Sequence, residues 1–281
     1  MTLPPMDHPQ ALSAPASPSR ALPWLAAGAA ALVLVSWLLN TPEGLLGKAD
    51  AVGYAICHRI GSHSFYLGGR PLPLCARCTG IYLGALMGMA ALALLGRTRA
   101  GGLPRRGVLV VLFGFVAVMG VDGVNSYLTF FPSLPHLYEP QNWLRLTTGM
   151  LDGITMGALI LPVLNQTLWK DWEDRPALAN FRELGLLVLL GALLVGLVLT
   201  GDPAILYPLA LLSSAGVVVL LTAIFTTILL IVTRRANRVE GWRGAALPLL
   251  AGFTLAMLQI GVIDAVRFAF FGSWEGFVFP G

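Results

Sequence analysis

Residues 205–232 read ILYPLALLSSAGVVVLLTAIFTTILLIV, a run without a single charged side chain. A helix needs about 20 predominantly apolar residues to cross the hydrocarbon of a bilayer, and this run exceeds that length. Stretches of the same kind occupy 21–39, 79–96, 107–129, 144–164, 184–200 and 246–268. In lipid every backbone N–H and C=O must be satisfied within its own segment, so such runs are helices. The expectation is an all-α, polytopic transmembrane bundle of about seven helices over residues 21–268. Residues 1–20 carry Pro4, Pro5, Pro9, Pro15 and Pro18 and read as a disordered tail. Residues 269–281 read as an aromatic tail at the membrane interface. The first run is long for a signal-peptide core and has no A-x-A site before Asn40, so it reads as an uncleaved span.

Composition agrees with those runs. Of 281 residues, 56% are hydrophobic and only 11% charged, with a mean hydropathy of +0.76. Soluble domains carry about 25% charged residues, so a soluble globular protein and a disordered chain are excluded. Three cysteines do not make a disulfide-knit secreted module. The net charge of +4 sits in short clusters between apolar runs, which points to the lipid bilayer as partner and not to nucleic acid. Alternate loops collect 12 Lys and Arg at one end of the bundle, against Lys48, Arg59, Arg70 and Arg77 at the other. The positive-inside rule then places the chain in the inner (plasma) membrane, amino terminus cytoplasmic and the loop at 40–78 extracytoplasmic. The inverted topology is the alternative.

Two glycine ridges, Gly80, Gly84 and Gly88 on the second span and Gly149, Gly153 and Gly157 on the fourth, recur at four-residue spacing. Small residues in that register let helix backbones approach closely in lipid, so these spans are expected to pack against each other.

The first outer loop holds the chemistry. It contains Cys57-His58-Arg59, then Ser62-His63-Ser64, then Cys75-Ala76-Arg77-Cys78. Ser64 to Leu74 reads as a short hairpin turning at Gly68-Gly69, since glycine adopts the positive φ of a tight turn without strain. Folding back brings Cys57 and His58 toward the C-x2-C pair. Cys57, Cys75, Cys78 and one of His58 or His63 would form a Cys3His set of the kind that holds tetrahedral zinc. A redox pair of Cys75 and Cys78 with Cys57 as resolving thiol stands beside it, as do cysteines that are simply buried or disulfide-bonded. Cys78 is followed by Thr79 and not histidine, which disfavours haem attachment.

Ionisable residues inside spans are the second signal. Asp122 and Asn125 lie on the third span, and Asn142, Arg145, Thr148 and Asp152 on or at the start of the fourth. Asp264 and Arg267 lie three residues apart on the seventh, where an i,i+3 ion pair is the plain reading. A lone charge at mid-bilayer costs roughly 2.5–3.5 kcal/mol on insertion scales, so these groups must be paired or hydrated. The assigned orientation sets nearly all of them level with the cysteine loop.

At Cys57-His58-Arg59, Ser64-Phe65, Gly69-Arg70 and Leu74-Cys75-Ala76-Arg77-Cys78-Thr79-Gly80-Ile81-Tyr82-Leu83-Gly84, the chain resembles the domain-of-unknown-function 2085 family of prokaryotic membrane proteins. Asp122-Gly123, Asn125, Asn142, Arg145, Thr148-Gly149 and Gly153 are similar to its second motif block. The resemblance covers about residues 50–157 and implies a membrane-embedded fold without naming a reaction. The functional expectation is a metal-binding Cys/His loop over a polar cavity among the second, third, fourth and seventh spans. That cavity is lined by Arg59, Arg77, Asp122, Asn125, Asn142, Arg145, Thr148 and Asp152. The alternatives are a membrane thiol-disulfide oxidoreductase and an ion or small-solute transporter.

Overall fold

The computed structural model describes residues 21–131, 133 and 135–276; the stretch expected as a disordered tail, and the end of the aromatic tail, lie outside them. Among the described residues, seven helices are long and apolar enough to cross a membrane. They are α1 (Leu22–Asn40), α3 (Ala76–Leu94), α4 (Arg106–Leu128), α5 (Asn142–Leu168), α6 (Phe181–Leu199), α7 (Pro203–Val232) and α8 (Gly241–Phe271). Between the first two lies a helix that the sequence reading left inside the outer loop, α2 (Gly44–Ile56). It is too short to span, and its buried face, including Ala51, Val52 and Tyr54, packs on α7 and α8.

The bundle is organised around α5. In its most apolar stretch 67% of residues are buried, against 11% in α1, so α5 is wrapped by protein while α1 faces lipid. That explains how α5 tolerates Arg145, Thr148, Asp152 and Asn165: its neighbours are other helices, and polar groups there meet partners instead of hydrocarbon. The apolar core joins α3, α4, α5, α6 and α7 through Leu83, Leu112, Met150, Ile154, Leu187 and Leu209.

The two glycine ridges face each other, and α3 with α5 is the most extensive helix pair in the molecule. A methyl group at Gly80, Gly84, Gly149 or Gly153 would strike the backbone of the opposite helix. Gly157 is nearly as tight, 2.9 Å from the Ala85 carbonyl, whereas Gly88 meets only ordinary van der Waals contact. Lipid offers no hydrophobic drive to bring helices together, so close backbone packing supplies it.

The loops gather at two ends. At one, β3 (Ala100–Gly102) pairs in parallel with β4 (Glu173–Pro176). Trp169 is buried there, its Nε1 donating to the Thr98 carbonyl at 3.0 Å. Arg97 pairs with Glu183 at 2.8 Å, and Asn165 donates to the carbonyls of Arg97 and Ala100. At the other end, β1 (Tyr66–Leu67) and β2 (Arg70–Pro71) form the expected antiparallel hairpin. Its turn residues Gly68 and Gly69 both have positive φ, the pairing that a two-residue type I′ turn requires.

Replacing Gly153 with Val should lower stability by about 3 kcal/mol through overpacking. Gly120→Ala, on an open face of α4 with nothing within 4 Å, should stay within about 0.5 kcal/mol of the parent. Thermal unfolding in detergent micelles measures both.

Candidate metal centre and its polar network

Three pieces of chain deliver the cysteines. Cys57 terminates α2, its amide bonded to the Gly53 carbonyl at 2.8 Å. The hairpin then reverses the chain, and Cys75 becomes the residue preceding α3, with Cys78 in that helix's first turn. Gly53 fits α2 against the Pro73 backbone, where any side chain would collide. The result is that the three Sγ atoms all lie within 4.8 Å of one another. All three are free thiols. Around them close Leu74, Tyr82, Val217, Ile260 and Trp274 in an apolar cluster, with Cys57 buried and Cys75 and Cys78 partly exposed.

The backbone is also arranged for a thiolate. Cys57 Sγ accepts from the amides of Arg59 and Cys75, each at 3.4 Å. The first of these depends on Arg59 adopting φ +53, a left-handed conformation that costs a non-glycine residue roughly 1–2 kcal/mol. The amino end of α3, with its unpaired amides, adds positive potential beside Cys75 and Cys78. Hydrogen bonds from the Cys75 and Cys78 thiols and the two amides hold the Cys57 thiol well below its ordinary value, against the upward push of burial. Its hydrogen bond to Cys57, with burial and the nearby charge, pushes Cys75 up to about 12. The first thiol to ionise makes its neighbour reluctant, the condition that a cation relieves.

Of the two histidines considered as ligands, neither places a ring nitrogen within the cluster of three sulfurs. His58 is exposed. His63 lies in a 3-10 turn, Gly61–His63, its ring 5.7 Å from that of Phe130.

Two ionic networks flank the thiols. The first starts at Arg77, inside the C-x2-C itself. Arg77 pairs with Asp122 of α4 and donates to Ser126 Oγ at 3.2 Å. Asp122 also accepts from the Tyr138 hydroxyl at 3.0 Å and from Thr148 Oγ1 at 3.4 Å. Arg145 donates to Asn142 Oδ1 at 2.9 Å and Ser126 Oγ at 3.4 Å. Asn125 clips the loop between α4 and α5, accepting from the Leu137 amide at 2.6 Å and donating to the Tyr138 carbonyl at 2.8 Å. Asn142 donates to the carbonyls of Ser62 and Ser64. Asp152 is buried one turn beyond Thr148, on the face where Thr155 reaches the Leu112 carbonyl of α4.

Arg59 belongs to the second network. It pairs with Asp50 of α2 at 2.8 Å and donates to the Trp274 carbonyl at 2.8 Å, while Arg70 from the hairpin pairs with the other Asp50 oxygen. Asp264 and Arg267 point to different partners. Asp264 accepts from Trp37 Nε1 at 2.9 Å, and Arg267 donates to the Tyr54 and Cys57 carbonyls and covers the Tyr54 ring at 4.0 Å. A cation at the carboxyl end of α2 answers that helix's dipole. The seventh span, α8, thus packs beside α1, α2 and α7, not beside Asp122. Sequence reasoning missed Asp50, Ser126 and Tyr138, and gave Arg70 only as a motif residue without a role; the isolated acid in the apolar Gly44–Ile56 stretch was the signal for Asp50.

The family described as "Predicted membrane protein (DUF2085)" matches residues 57–159, a span that opens on Cys57 and contains the other two cysteines and the Arg77–Asp122 network. An uncharacterised protein of Methanocaldococcus jannaschii is 31% identical over 123 residues, 44% of this chain and 72% of the relative. An uncharacterised protein of Methanothermobacter thermautotrophicus is 33% identical over 104 residues, 37% of this chain and 83% of the relative. No solved structure matches.

Removing Arg77 (Arg77→Gln) strands Asp122 and should cost on the order of 3 kcal/mol in thermal unfolding, with much of it regained by adding Asp122→Asn. His63 gives a pH test. Burial, then Arg145 and Arg77, hold its imidazole at about 4, below the roughly 6.5 of an unfolded chain. The stabilisation is therefore complete above about 6.5 and is lost as pH falls toward 4. Hydrogen exchange across residues 61–66, corrected for intrinsic rates, should accelerate between pH 7 and 4.5, and His63→Gln should abolish the change.

Proposed function

The chain belongs to the DUF2085 family of predicted membrane proteins, and from that premise we propose that its cysteine loop is a metal-binding centre held over a packed polar network. The observation that carries this is the convergence of three thiol sulfurs within 4.8 Å from two helix ends that the hairpin brings together. Zinc fits the donor set, since thiolates bind it at ~2.3 Å and soft sulfur ligands select it. Charge supports the same ion. Arg77 pairs with Asp122, Arg59 and Arg70 pair with Asp50, and Arg145 is held by Asn142 and Ser126. Guanidinium groups close to the sulfurs, Arg59 by Cys57 and Arg145 by Cys75, favour a negatively charged centre, and a divalent ion on three thiolates carries a net −1. Bound there, the ion would cross-link the end of α2 to the start of α3 and keep a place for a fourth donor from His58, His63, solvent or a solute.

The chain's own residues then have distinct tasks. Arg59 and Cys75 amides hold the Cys57 sulfur, Arg77 ties the loop to α4, and Asn142 fixes the turn that carries His63. We place this end outside the inner (plasma) membrane and the Arg-rich loops in the cytoplasm; reporter fusions after Asn40 and after Leu94 should give opposite topology signals.

Elemental analysis of protein purified under reducing conditions should find zinc near stoichiometry, lost in Cys57→Ser, Cys75→Ser and Cys78→Ser. Metal-free protein from zinc-replete cells overturns the reading. One observation favours a second reading, thiol-disulfide exchange: Cys75 and Cys78 are free thiols at a helix start. Metal-free protein whose Cys75 and Cys78 resist alkylation after oxidation would select it.

A further inference from the structure

A groove of about 750 Å³ opens between α1 and α8, away from the three sulfurs. That volume falls within the ~300–1,000 Å³ of small-molecule sites. Its polarity changes along its length. The inner end is apolar, walled by Leu32 and Met257; Ser36 and Asp264 stand midway; Asn40 and Thr41 stand at the outer end, under Trp274. From Leu32 to Thr41 the groove follows α1 for about 13 Å at 1.5 Å per residue.

Asp264 is the second, independent observation. It is 2% exposed, one oxygen accepts from Trp37 Nε1, and the other, Oδ1, is buried without a hydrogen-bond partner among the described residues. A buried acceptor left unmatched is costly, and native proteins usually fill such a place. Arg267, three residues on, directs its guanidinium to the α2 carbonyls.

We propose that this groove binds a long-chain amphiphile with a hydroxyl head, the hydroxyl donating to Asp264 and the chain lying along Leu32 and Met257. The head is a donor because the open group is an acceptor. It is neutral because Lys48 already stands at the mouth, its ammonium 2.9 Å from Thr41 Oγ1 and 5.9 Å from the Trp37 ring centroid, where it repels an ammonium head. The inner wall, Trp37 and Met257, belongs to the apolar cluster that also encloses the three thiols, but the proposal does not depend on a metal.

The test uses the full chain in phosphatidylcholine nanodiscs with a chelator present, labelled by hexadecanol carrying a diazirine in its chain. Saturable labelling of α1 and α8 peptides is expected, with hexadecanol competing roughly tenfold better than its methyl ether, which cannot donate. Gly261 lines the groove, and a methyl there would meet only Trp37 Cδ1 at 3.6 Å, so Gly261→Leu should fold and cut labelling about tenfold. Asp264→Ala should equalise alcohol and ether. Equal competition by the ether on the parent protein, or undiminished labelling of Gly261→Leu, overturns the proposal. Zinc content of the same Gly261→Leu preparation, made without chelator, reports separately on the cysteine centre.

Discussion

A buried charge in a bilayer has no water to turn to, and the ion pair between Arg77 and Asp122 is this chain's answer to that constraint. Arg77 is one of the two residues between Cys75 and Cys78, so the pair joins the thiol loop to the third span in a single contact. Asp122 in turn holds Tyr138 of the loop between α4 and α5 and Thr148 of α5. The polar end of the bundle is therefore one connected body, and the position of the thiols is fixed by interactions made in lipid as much as by the loop itself.

The close α3–α5 seam makes that body possible. Gly149 lies against the Arg77 backbone, where a side chain would collide, so the same absence of side chains that lets two helices touch also sets where Arg77 starts its reach toward α4. Packing and electrostatics are coupled at one residue. The left-handed Arg59 turn aims an amide at Cys57, which favours a thiolate there.

Much of the candidate site was legible because its parts are local or periodic. The hairpin follows from Gly68-Gly69, the seam from glycine at every fourth position, and the approach of Cys57 to Cys75 and Cys78 from the reversal between them. The second network was not legible. Asp50 occurs on a helix too short to register as a span, and nothing in the chain order says that Arg59 and Arg70 close on it. Asp264 and Arg267 illustrate the converse: spacing allows an ion pair, yet Trp37 and the α2 carbonyls compete for the same two groups from distant parts of the chain.

Hydropathy alone determined that the chain is a bundle of membrane helices, because a run of some twenty apolar residues has one physical outcome in water and lipid. Local residue spacing determined that helix faces and the hairpin exist. Which charge meets which, that α8 stands beside α2 and not Asp122, and that a groove opens between α1 and α8 were decided only in three dimensions. Side-chain partners are chosen by the packing of segments that lie up to some two hundred residues apart, and no one-dimensional pattern carries that distance.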